Sequence, residues 1–210
     1  INHFDMPLYL SEQYDGWLSR STIDCFLNYC RTIFERYKGK VKYWMTFNEI
    51  NLLRGYDTLG VHEMDQQKYY QAIHHIFIAS AKAVKLGHEI DENNQIGMML
   101  AHILTYPETC NPCDVEQEIL VSRNLKYFFA DVQCRGYYPS YILKKLENQS
   151  IHIKKEEGDD EILKQGCVDY IGFSYYNSGV ITTRSDAKET LGNGIKLAQN
   201  PYLQESEWKW

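Results

Sequence analysis

The chain of 210 residues has no run of five or more basic residues, and its formal net charge is -6. Proteins that grip a phosphate backbone usually show a basic face, so nucleic acid is not an expected partner. Its charges are mixed in sign, the pattern of a solvated surface. No apolar run is long enough to cross a bilayer as a helix, so no membrane partner is expected either. A charged-then-apolar leader is missing. The chain opens at Ile1-Asn2-His3-Phe4-Asp5 without methionine, which reads as the middle of an element and carries no targeting information. Internal repeats, low-complexity tracts and a linker between two domains are also absent. Metal-ligand spacing is scarce. Cys110-Asn111-Pro112-Cys113 is a lone CxxC with no second ligand pair at zinc spacing. His74 and His75 are adjacent on a helix, so they point apart and make a poor metal pair. No metal is expected. The six cysteines sit in a chain large enough to build an apolar core without disulfides. Reduced thiols in the cytoplasm are the expectation.

What is present alternates. Ser21 to Tyr37 carries Ile23, Phe26, Leu27, Cys30, Ile33, Phe34 and Tyr37 at helical spacing, with Ser21 as a plausible cap and Gly39 as the stop. Val41 to Phe47 follows as a buried strand. A long helix is expected from about Asp65 to Glu89, then a strand over Ile96 to Ala101. Asp114 to Ala130 and Pro139 to Glu147 read as helices, and Gly158 to Glu161 as an acidic turn before a short helical piece, Ile162 to Gln165. Val168 to Ser174 is a further buried strand, and Ser178 to Asn200 a long polar loop. Helix and strand in alternation imply a parallel sheet covered by helices. Three whole strands and an opening fragment do not close an eight-stranded barrel of about 250 residues. The fold class expected is therefore α/β, part of a (β/α)8 TIM barrel, with residues 1–210 forming a single incomplete domain.

Polar and aromatic residues gather where these strands end. His3 and Asp5 open the chain, Asn48 and Glu49 end the first whole strand, His102 follows the second, and Ser174, Tyr175 and Tyr176 end the third. Carboxyl ends of parallel barrel strands share one rim, where barrel enzymes keep their chemistry. Asn and His can hold sugar hydroxyls, rings can stack on sugar faces, and a carboxylic acid can protonate a leaving oxygen. On position alone, a glutamate after a strand is more often a loop carboxylate or cap. Tyr175 and Tyr176 are more often rim and core aromatics. Trp17, Trp44, Trp208 and Trp210 are most simply packing residues.

Four pieces in order carry a resemblance: His3-Phe4-Asp5-Met6-Pro7, Tyr43-Trp44-Met45-Thr46-Phe47-Asn48-Glu49-Ile50-Asn51, Asp169-Tyr170-Ile171-Gly172-Phe173-Ser174-Tyr175-Tyr176, and Asn200-Pro201-Tyr202-Leu203 with Trp208 and Trp210. The chain resembles glycoside hydrolase family 1, and within it the 6-phospho-β-glucosidases. The resemblance covers the whole chain, from the end of the third barrel strand to just past the sixth. It implies a retaining mechanism with two glutamates. Glu49 would be the general acid/base, protonated at the start, then deprotonating the water that releases the sugar. Asn48 would hold the 2-hydroxyl and His3 a glycone hydroxyl. Tyr176 would orient the nucleophile, and Tyr175 and Ser174 would contribute to substrate binding. Phe4, Ile50 and Ser174 stand where members acting on plain glucosides commonly have Trp, Pro and Asn.

The resemblance also has a gap. The family's nucleophile lies in a Glu-Asn-Gly motif, and no such motif occurs here. The loop that grips the 6-phosphate is absent too. The activity implied is retaining hydrolysis of 6-phospho-β-glucosides, such as phosphorylated cellobiose or aryl glucosides, without any cofactor. These 210 residues alone are expected to be inactive. Two other readings stay open: a β-glucosidase of unphosphorylated glucosides, and a non-catalytic sugar-binding fragment.

Overall fold

The computed structural model describes residues 1–187, 196–204 and 206–207. Trp208 and Trp210 lie outside them. Helices are α1 (Leu8–Tyr14), α2 (Ser21–Arg36), α3 (Tyr56–Leu59), α4 (Gln66–Ile90), α5 (Pro112–Ser122), α6 (Phe128–Arg135), α7 (Ser140–Asn148) and α8 (Asp159–Gln165). Strands are β1 (Tyr43–Met45), β2 (Gln95–Ala101), β3 (Leu104–Pro107), β4 (Ile171–Ser174), β5 (Ser178–Ile181) and β6 (Leu197–Ala198).

The main sheet has the order β1-β2-β4, parallel throughout, with Met45 opposite Gly97 and Ala101 opposite Ser174. Asn2 bridges Phe47 in parallel on the other side of β1, and its N–H donates to the Thr46 carbonyl at 2.9 Å. Four successive strand positions therefore lie side by side, with helices between them in sequence. That is an arc of a (β/α)8 barrel. Along β2, Ile96, Met98 and Leu100 face the helical layer and are fully or nearly buried. Position 97 has no room for a Cβ: one built on Gly97 would sit 2.6 Å from the Tyr170 ring. Tyr170 reaches over Gly97 to donate its hydroxyl to the Trp44 carbonyl at 2.8 Å.

The long helix α4 is the hub. It packs on α2, β2, α6 and α8, so apolar residues surround it on nearly every side. Ile73, Ile76, Phe77 and Ile78 are almost wholly buried, each contributing about 1.5–3 kcal/mol. Asp65 caps it, accepting from the Lys68 N–H at 2.7 Å. His74 and His75 are structural. His74 sits between the Tyr138 hydroxyl and Asp159, both at 3.0 Å, and His75 contacts the Trp17 carbonyl at 2.8 Å.

Several expectations change. Ser21 lies inside α2 and caps nothing; the Ser19 hydroxyl accepts its N–H at 3.2 Å instead. The helix expected over Asp114–Ala130 starts at Pro112, capped by Asn111, and runs to Arg135 through a π-helical turn, Arg123–Tyr127. Gly158, at φ 90°, caps α8, so helix begins at Asp159 rather than Ile162. The Ser178–Asn200 stretch is not all loop. It contains β5, which pairs parallel with β3, and β6, antiparallel to β5. This small second sheet continues from the ends of β2 and β4. Finally, the two strands expected to be buried over Val41–Phe47 and Val168–Ser174 are shorter and partly open: β1 leaves Tyr43 and Met45 exposed on the face that no other described strand or helix covers, and in β4 Ile171 is 48 % and Phe173 63 % exposed, because no described helix covers them.

Candidate active site

The turn after β1 is built from alternating anchors. The Thr46 hydroxyl pairs with Ser80 of α4 at 2.8 Å, and Phe47 stacks on Phe26 with ring centres 4.7 Å apart. Both side chains tie the chain to the helical layer. The Asn48 N–H then donates to the Asn2 carbonyl at 2.9 Å, which places His3 beside Asn48. Glu49 follows in the left-handed region, φ 41° and ψ 52°. For a residue with a Cβ that conformation costs on the order of 1–2 kcal/mol. The turn is held by neighbours. Asn51 donates its amide to the Ala101 carbonyl and accepts the Ala101 N–H, both at 2.9 Å, closing the end of β2. The Glu49 carboxylate accepts a hydrogen bond from the Ser174 hydroxyl at the end of β4. Glu49 is buried, at 7 % exposure. One short turn thus binds the ends of all three strands.

Tyr175 and Tyr176 follow Ser174 and are more than half exposed. They line a cleft of about 440 Å³ with Asn177, Asn200, Leu203 and Gln204. His3 is exposed, its ring edge-on to Phe4 at 5.1 Å. His102 is half-buried, edge-on to Phe173 at 5.7 Å. Burial, and then the Lys126 charge, lower its proton affinity. Structure therefore joins Glu49 directly to Ser174 and Asn48 to the His3 segment, and sets the two tyrosines in a cleft whose walls do not include Glu49, Asn48 or His3.

Sequence reasoning missed three supporting residues. Asn51 was visible inside the motif, but its clasp on Ala101 depends on a residue 50 positions away. Lys126 is buried at the π-helical turn and donates to the Ile103 carbonyl at 3.1 Å and to the Thr105 hydroxyl at 3.2 Å. It steadies the chain where β2 gives way to β3. Asp114 does the same for the end of β5. Hydrogen bonds from Thr109 at 2.6 Å and from the Thr183 hydroxyl and N–H at 2.7 and 2.9 Å hold its carboxyl below the usual carboxylate range. Among the described residues no three His, Cys, Asp or Glu side chains group as metal ligands.

A carboxyl group buried at a strand end, oriented by a hydroxyl and flanked by an amide and a histidine, can exchange a proton with a polyhydroxylated substrate. The chain is similar to known proteins over its whole length. The chain is 43 % identical to an aryl-phospho-β-D-glucosidase, BglA, of Bacillus subtilis (strain 168), over 100 % of this chain and 47 % of that protein. It is 44 % identical to a 6-phospho-β-glucosidase of Clostridium longisporum, over 100 % of this chain and 46 % of the relative. It thus spans about half the length of the curated relatives it matches. Among solved structures, a β-glucosidase from Exiguobacterium marinum superposes with a TM-score of 0.79 at 25 % identity, covering 100 % of this chain and 48 % of that one. The family 1 β-glucosidase of Thermotoga maritima gives 0.79 at 22 %, covering 100 % and 46 %. These likenesses show the fold, part of a (β/α)8 barrel. The model of glycosyl hydrolase family 1 matches residues 1–210, and the chain belongs to that family.

Proposed function

We propose that the protein carrying this chain is a retaining β-glycosidase acting on 6-phospho-β-glucosides in the cytoplasm, with Glu49 as its general acid/base. The observation that carries the reading is Glu49 itself, buried at the end of β1 beside Asn48 and hydrogen-bonded by Ser174. The names of the relatives more than 40 % identical support the phosphorylated substrate. In this reading Glu49 gives its proton to the glycosidic oxygen as the bond to the anomeric carbon breaks. A second carboxylate, about 5–5.5 Å away in retaining enzymes, takes the sugar. Glu49 then removes a proton from the water that frees it. Asn48 holds the 2-hydroxyl and His3 a further hydroxyl of the same ring. Tyr176 orients the second carboxylate, and Tyr175 offers its ring to the substrate at the mouth of the cleft. Ser174 acts chiefly through Glu49, to which its hydroxyl is committed. No cofactor enters these steps.

The test uses the full-length protein with 4-nitrophenyl β-glucoside and its 6-phosphate. The phosphorylated substrate is expected to have the higher kcat/KM by about 100-fold or more, as for sites built to bind a polar group. Glu49→Gln should lower kcat by about 10²–10⁴-fold. Equal rates on the two substrates would remove the phosphate from the reading. An active Glu49→Gln protein would remove Glu49.

A further inference from the structure

A cavity of about 700 Å³ lies between the first turn of α4 and the α5–α7 segment. None of Asn48, Glu49, Ser174, Tyr175 or Tyr176 lines it. Its size is that of a small-molecule site. Two cations, Arg54 and Lys145, are on its walls. Lys145 donates to the Asn124 side-chain oxygen at 2.8 Å and lies 5.6 Å from the centre of the Tyr70 ring. Burial, then the nearby charge of Arg54, lower the proton affinity of Lys145. The two positive charges therefore feel each other. Among the described residues neither belongs to an ion pair. The one carboxylate on the walls, Asp65, is the cap of α4 and accepts the Lys68 N–H. Two like charges in a cavity repel, and an anion between them turns that repulsion into attraction. The walls also carry the apolar side chains of Leu120, Val121 and Leu125.

We propose that this cavity binds a small phosphate monoester, its phosphate between Arg54 and Lys145 and its organic body against Leu120, Val121 and Leu125. A phosphate monoester carries close to two negative charges at neutral pH, matching the two cations. Tyr69 and Tyr70 add aromatic surface to the same walls. The proposal does not depend on the glycosidase reading, because no residue of the candidate active site takes part.

The probe is phenyl phosphate, with benzyl alcohol as the uncharged control, on the full-length protein. An amine-acylating reagent is applied with and without the probe, and modification of Lys145 is followed by peptide mass spectrometry. This readout reports on this cavity even if the protein also binds the probe elsewhere. Phenyl phosphate is expected to slow acylation of Lys145, and benzyl alcohol is not. Arg54→Gln, at an exposed position, should fold normally and weaken protection by about tenfold or more, the loss of one charge-assisted hydrogen bond. Lys145→Arg keeps the charge and should retain binding in calorimetry with Glu49 also replaced by Gln. Unchanged acylation of Lys145 up to the solubility limit of the probe would overturn the proposal. So would protection that survives Arg54→Gln undiminished, or equal protection by benzyl alcohol.

Discussion

At the scale of single residues, the molecule depends on carboxylates whose partners come from distant parts of the chain. Ser174 donates to Glu49 and has no other strong acceptor among the described residues, its contact to the Leu100 carbonyl being 3.4 Å. Ser174→Ala is expected to lower kcat of the full-length protein about 3–10-fold with little change in KM, since one orienting hydrogen bond is lost. Steady-state kinetics on an aryl 6-phospho-β-glucoside would measure it, and an unchanged kcat would show that Glu49 is oriented without help. A second carboxylate, Asp159, governs stability. Burial alone would raise its affinity for a proton. The two Arg20 contacts at 3.0 and 2.7 Å, the Glu156 N–H at 2.9 Å and His74 outweigh burial and hold it well below the carboxylate range. Burial keeps His74 and His75 below the ordinary histidine value as well. All three shifts are depressions, so the unfolded chain takes up each proton more readily than the folded one. The histidine contribution is complete above about pH 6.5 and is lost as pH falls below it; the Asp159 contribution fades below about pH 3.9. The melting temperature should therefore be level between about pH 7 and 8, decline below about pH 6.5, and fall faster below about pH 4. Asp159→Asn should cost about 1–3 kcal/mol at neutral pH, because among the described residues Arg20 is left with Glu156 alone and His74 loses its carboxylate partner. A melting temperature constant between pH 7 and 5 would contradict neutral buried histidines.

At the scale of elements, close approach of backbones sets the tolerance for change. A Cβ at Gly166, just past α8, would lie 2.3 Å from the Ala81 carbonyl oxygen of α4 and 2.5 Å from its Cα. Neither backbone can move aside without disturbing the hub helix. Gly166→Ala is expected to destabilise the fold by about 1–3 kcal/mol in denaturant titrations, and a loss below that range would mean that α8 slides on α4 at little cost. The same closeness explains what could be read beforehand. The periods of α2 and α4 and the apolar run of β2 are local, and they marked those elements within a residue or two. Glu49 stood out because a carboxylate follows a strand directly. The rest depended on neighbours. β3, β5 and β6 are short and form only because they pair with one another across the chain. The π-helical turn at Arg123–Tyr127 breaks the 3.6-residue period, which reads locally as one uninterrupted helix. Exposure of Ile171 and Phe173 follows from what lies above them, which no local pattern encodes. Ser174 as the partner of Glu49 was hidden for the same reason.

At the scale of the whole molecule, the arc of strands leaves apolar surface open. Tyr43, at 65 % exposure, and Phe173 mark opposite ends of the uncovered sheet, whereas a parallel sheet is normally covered on both faces. A polypeptide of these 210 residues is expected to self-associate in analytical ultracentrifugation, because open edges and apolar patches of this kind drive pairing. It should also hydrolyse no aryl glycoside, having Glu49 but no Glu-Asn-Gly stretch. A monodisperse monomer with turnover abolished by Glu49→Gln would refute both expectations. The hydrogen bond between Ser174 and Glu49 has one more consequence, which concerns time. The two residues are 125 positions apart. Ribosomes add about 5–20 residues each second, so Glu49 waits roughly 6 to 25 s for the hydroxyl that will hold it. Throughout that interval its strained turn is a newborn segment without its clamp, and the geometry around Glu49 is among the last features of this half-barrel to be completed.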